Sequence, residues 1–167
     1  MSSSCPAAIS AEPATNEAPR PALEVTSDIT LDPKQTYGAI IVKKSGVTID
    51  GRGAWLIGMS DAAAKDSKTL KGTAVSAEGV SNVTLKNVNA KGWETGLRVR
   101  NGEGWTVRNC DFSDNFHDPE FGWGENGRRG GIVLEDVHKS VLKKNTANRV
   151  WDACVLVDSD RWKGRRN

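Results

Sequence analysis

Four short segments of this chain align with one another: Gly46-Val-Thr-Ile-Asp-Gly, Asn82-Val-Thr-Leu-Lys-Asn, Gly104-Trp-Thr-Val-Arg-Asn and Ser140-Val-Leu-Lys-Lys-Asn. Their second positions, Val47, Val83, Trp105 and Val141, lie 36, 22 and 36 residues apart. A second set precedes them: Ala39-Ile-Ile-Val, Thr73-Ala-Val-Ser, Gly96-Leu-Arg-Val and Gly131-Ile-Val-Leu. A fifth member, Cys154-Val-Leu-Val, follows 22 residues after Ile132. A period of 22 residues carrying two or three short strands between tight turns describes one coil of a parallel β-solenoid, in which each strand pairs with its copy in the next coil. About five coils are expected. The spacing of 36 is one coil plus an insertion of about 14 residues. The insertions, Ala54 to Lys71 and Phe116 to Arg129, fall at equivalent places. They should leave one edge of the solenoid two coils apart, about 10 Å along its axis.

Asn87, Asn109 and Asn145 follow the second strand in three coils, with Gly51 in the first. Asn tolerates the left-handed backbone of a tight turn, and stacked Asn side chains can hydrogen-bond along the axis as a ladder. The same alignment sets Lys143 beside the inward Leu85 and Val107, so the fourth coil must slip register or misplace a charge. Composition agrees with strands, since fifteen valines outnumber nine leucines.

Residues 1–22 are rich in Ala, Pro, Ser and Glu without apolar periodicity and read as a flexible leader, 23–160 as the solenoid, and 161–167 as a disordered tail. The last strand opens a coil that the seven tail residues are too short and too basic to finish. The chain is therefore expected to be a piece of a longer solenoid and to self-associate through that open end. A net charge of +2 carries no footprint for nucleic acid, and no apolar run reaches the ~20 residues of a membrane span. Cys110 and Cys154 sit in strand-like runs and read as inert core residues.

At Thr48-Ile-Asp-Gly-Arg-Gly, preceded by Ile29-Thr-Leu-Asp and Ile41-Val, the chain resembles the opening coils of right-handed parallel β-helix proteins, the pectate-lyase-like superfamily. The resemblance covers about residues 25–160 and implies an all-β, single-stranded, right-handed parallel β-helix. It also implies an extracytoplasmic location, secreted or periplasmic. The superfamily hosts lyases, hydrolases, epimerases, accessory proteins and adhesins, so the resemblance speaks for fold more than for activity. The paired-Asp and Gly-His motifs of the polygalacturonase branch are not found, and no complete lyase site is matched.

Alternation in Gly96-Leu-Arg-Val-Arg-Asn turns Leu97 and Val99 inward and Arg98 and Arg100 outward. Aligned outward positions are Ser76 and Glu78 in the coil before and Val133 and Glu135 in the coil after, so Glu78, Arg100 and Glu135 form an alternating charge row. The row reads as a surface salt-bridge ladder, or the two arginines hold an anionic sugar carboxylate through their planar forks. The resemblance adds that an arginine on such a face can abstract the proton beside a uronate carboxyl group.

The second insertion offers His117, Asp118 and Glu120 as acid, base or Ca²⁺-ligand groups, with Phe121 and Trp123 to stack on sugar. Asp152, Asp158 and Asp160 gather near the end as candidate Ca²⁺ ligands, and His138 reads as a surface residue. No other cofactor is indicated. Two classes of function follow. One is a protein that binds or processes an acidic polysaccharide, as a lyase, epimerase, hydrolase or non-catalytic binder. The other is a structural or adhesive solenoid that presents its loops to a partner protein.

Overall fold

Triplets of β-branched and apolar residues between turn formers give strands too short to stand alone, so each must borrow hydrogen bonds from its copies in neighbouring coils. The computed structural model describes residues 20–58, 69–118 and 128–160, with the backbone of 163–165. Sheet one stacks β1 (Leu23–Val25), β4 (Ile40–Val42), β7 (Thr73–Glu78), β10 (Thr95–Glu103), β12 (Gly130–His138) and β14 (Asp152–Val157). Sheet two stacks β2 (Ile29–Thr30), β5 (Thr48–Asp50), β8 (Thr84–Lys86), β11 (Thr106–Arg108), β13 (Val141–Lys143) and β15 (Lys163–Arg165). Sheet three holds β3 (Thr36–Tyr37), β6 (Trp55–Ile57) and β9 (Asn89–Lys91). It continues through the bridges Asn89 to Asp111 and Asp111 to Thr146.

The pairings are parallel, and the chain visits sheets one, two and three in turn. The molecule is a parallel β-helix. Sheet one has six rungs rather than five, because Leu23 pairs with Ile40 only 17 residues on, outside the period of 22. Both insertions leave the corner between sheets three and one, after β6 and after Phe116. β15 lies within the segment expected to be a loose tail.

Apolar columns run up the interior. Ile40, Val75, Leu97 and Ile132 stack in register, each at most 3% exposed. Ile49, Leu85 and Val107 form the facing column and are fully buried. Burying such side chains stabilises by about 1.5–3 kcal/mol each. Trp105 fills the corner between these columns, and its indole N–H donates to the Val80 carbonyl at 2.7 Å. Gly96 lets Phe112 approach β10, since a Cβ there would lie 2.7 Å from the Phe112 ring.

The fourth coil corrects the expected register. Val107 pairs with Leu142 and Arg108 with Lys143, so Lys144, not Asn145, follows Asn87 and Asn109 in the turn. These three share left-handed backbone, with φ of 55°, 54° and 53°. The apolar alternation outweighs the match of turn residues, because a one-residue slip would turn Lys143 inward and Leu142 outward. Asn145 therefore leaves the ladder: its Oδ1 accepts the Cys110 N–H at 3.0 Å, and its Nδ2 donates to the Val107 carbonyl at 2.9 Å. The side-chain ladder runs instead from Asn109 Nδ2 to Asn87 Oδ1 at 3.4 Å and from Asn87 Nδ2 to Asp50 Oδ1 at 2.9 Å. Similarly, Val75 rather than Ala74 pairs with Leu97.

Cys110 is a core residue whose thiol burial pushes up to about 12. Cys154 is exposed, contrary to expectation, because among the described residues β14 is an end rung of sheet one, paired on one side only, with β12.

Candidate functional site

The outer face of sheet one carries two rows of side chains set by its register. Ile41, Ser76, Arg98 and Val133 form one row, and Glu78, Arg100 and Glu135 form the next. Between them lies a groove of about 220 Å³, lined by Ile41, Lys43, Ser76, Glu78, Arg98 and Arg100. Two residues along a strand span about 7 Å, so the two guanidinium groups stand side by side on one face.

Their surroundings differ. Arg100 is tied to Glu135, and that hydrogen bond raises its pKa. Glu135 also accepts from Arg128 Nη1 at 3.1 Å. Burial works to raise the Glu135 pKa, but the hydrogen bonds from Arg100 and Arg128 hold it below the usual value. It stays ionised. Arg98 is half-buried, and burial lowers its pKa. Its Nη2 donates to the Arg128 carbonyl at 2.6 Å and to Thr95 Oγ1 at 3.3 Å. Its Nε is buried and meets no acceptor among the described residues. An unmet buried donor costs about 1–3 kcal/mol, more when it is charged.

The end of the second insertion is pinned beside this groove. Besides Arg128, Arg129 pairs with Glu94 at 3.0 Å and lies over the Phe116 ring at 5.0 Å. His117 and Asp118 stand where the insertion leaves the solenoid, with the His117 ring 6.5 Å from that of Trp151. Glu120, Phe121 and Trp123 lie outside the described residues.

The three candidate Ca²⁺ ligands do not converge. Asp152 opens β14, whereas Asp158 and Asp160 follow its end, about 20 Å away along six extended residues. Asp158 is a turn residue: with Gly79, Asn101 and Asp136 it forms a left-handed column, φ 47° to 65°. Asp160 pairs with His138 Nδ1 at 2.8 Å, while Asp136 takes Nε2 at 2.8 Å. Among the described residues no three His, Cys, Asp or Glu side chains are grouped to hold a metal ion. The sequence reading missed the role of Arg128. Its signal was the Arg128-Arg129 pair immediately before β12, which the chain delivers to the same face as Arg98.

A family model described as the right handed beta helix region matches residues 27–165. No curated protein and no solved structure matches the chain.

Proposed function

The chain belongs to the right-handed β-helix region family, and from that premise we propose that it binds an acidic polysaccharide in the sheet-one groove, through Arg98 and Arg100. The observation that supports this reading is the pair of arginines, Arg98 and Arg100, that line one groove on the same face. A uronate carboxylate is planar and suits the guanidinium forks that line the groove. Glu135, the carboxylate joined to Arg100, is ionised in that ion pair and so offers no general acid beside the arginines. Ser76 and Glu78 offer polar atoms for sugar hydroxyl groups.

The test is titration with polygalacturonate against neutral dextran. Arg98→Ala should weaken polygalacturonate binding about ten- to a hundredfold, the equivalent of one lost charge-assisted hydrogen bond. Unchanged affinity would place the site elsewhere. A second reading, a solenoid that associates with protein, including its own copies, draws on Leu156, 45% exposed on the outermost rung of sheet one. Sedimentation of Leu156→Ser beside the parent chain separates the two, because only the second reading expects the oligomeric state to change.

A further inference from the structure

Sheets one and two carry charge on their outer faces in opposite styles. In sheet one the outward row alternates: Glu78, Arg100, Glu135. In sheet two the corresponding row reads Asp50, Lys86, Arg108, Lys143, with Asp50 and Lys86 paired at 2.9 Å. Among the described residues no acidic partner faces Arg108 or Lys143, and the register of β15 sets Arg165 at the next position of the row. Rungs are about 4.8 Å apart, so Lys86, Arg108 and Lys143 stand in single file over about 10 Å. Like charges directly opposite each other in a sheet are destabilising, and sheet two bears this cost where the alternating row of sheet one does not.

Two residues earlier in each strand, Thr48, Thr84 and Thr106 form a parallel row of hydroxyl groups on the same face. We propose that the outer face of sheet two is a binding track for a uronate polymer laid along the solenoid axis, with Arg108 and Lys143, the cations above the Asp50–Lys86 pair, taking carboxylates and the threonines taking sugar hydroxyls. This track is separate from the sheet-one groove and does not rest on it. The choice of a glycan over a single-stranded nucleic acid follows from the face itself. Its outward positions on β5, β8, β11 and β13 hold Thr, Asp, Lys, Arg and one Val, with no aromatic ring on which bases could stack.

The experiment measures polygalacturonate affinity of the full chain across a salt series. Arg108→Thr with Lys143→Thr should lower affinity at least tenfold and flatten the dependence of log K on log salt by about one unit per cation removed. Arg108→Lys should leave the slope unchanged, because the charge remains. The double variant should also melt higher than the parent, since repulsion is relieved, so lost binding cannot be read as lost folding. Wild-type affinity and slope in the double variant, or binding lost only in Arg98→Ala, would overturn the track while leaving the groove intact. A double variant that weakens binding of single-stranded DNA but not of polygalacturonate would overturn the assignment of the occupant.

Discussion

The fourth-coil register can be tested by exchanging the tasks of two adjacent residues. Asn145 joins two coils through hydrogen bonds to the Cys110 N–H and the Val107 carbonyl, at 3.0 and 2.9 Å. Asn145→Ala removes both and strands backbone groups beside the buried Cys110. Two such bonds, with part of the desolvation penalty, amount to about 2–4 kcal/mol. For a chain of this size that lowers the melting temperature by roughly 5–15 °C. Lys144 holds a left-handed φ of 53° directly above Asn109. Lys144→Asn replaces a residue that resists this conformation with one that tolerates it, and extends the side-chain ladder by one rung. It should stabilise by up to about 1 kcal/mol. Thermal unfolding followed by circular dichroism reads both variants. If Asn145 stood in the ladder, Lys144→Asn would gain nothing. An Asn145→Ala chain melting at the parent temperature, or a destabilised Lys144→Asn chain, would refute the register argument.

Three further outcomes follow from other residues. His138 has its pKa raised first by the Asp136 hydrogen bond and then by Asp160; the raised value means that its stabilisation is full below the unfolded pKa of about 6.5 and is lost as pH rises through the folded value. The melting difference between the parent and His138→Asn should therefore shrink from about pH 5 to pH 9, and a constant difference would contradict the clasp. Asp50 is held at about 2 by hydrogen bonds from Lys86 and then Asn87, so its contribution is present above its ordinary value of 3.8 and is lost as pH falls toward 2. The stability gap between the parent and Asp50→Asn should close over that window; a gap that persists at the acid end would show that the ion pair does not carry it. With Cys5 and Cys154 replaced by Ser, Cys110 should react with a disulfide reagent only as fast as the chain unfolds, and rapid labelling of the native protein would contradict its burial.

Much of the coil was legible in the chain itself. The inward Leu97 and Val99, the outward Arg98 and Arg100, and the register position of Arg100 between Glu78 and Glu135 all follow from alternation and a period of 22. Strand-level alternation is local, and a parallel in-register stack repeats it without change. The turns were less legible. Asn145 mimics its ladder counterparts in residue type, and only the burial of Leu142 against the interior reveals that Lys144 holds the turn.

The sequence by itself determined the solenoid: a repeat of short β-branched runs has no way to bury its apolar faces except by stacking copies of itself. Only the tertiary structure decided which charges have partners. Glu135 meets both Arg100 and Arg128, and Arg98 meets the Arg128 carbonyl, although 28 residues separate Arg100 from Arg128 and the insertion between them has no period to read. The same holds for Asp152, Asp158 and Asp160, near neighbours in the chain that an extended strand drives apart, and for the row of Lys86, Arg108 and Lys143, spread over the chain until stacking sets it in single file. A periodic pattern fixes what repeats. Which charges meet across an insertion depends on where the inserted segment lies against the stack, and that is settled only when the coils pack.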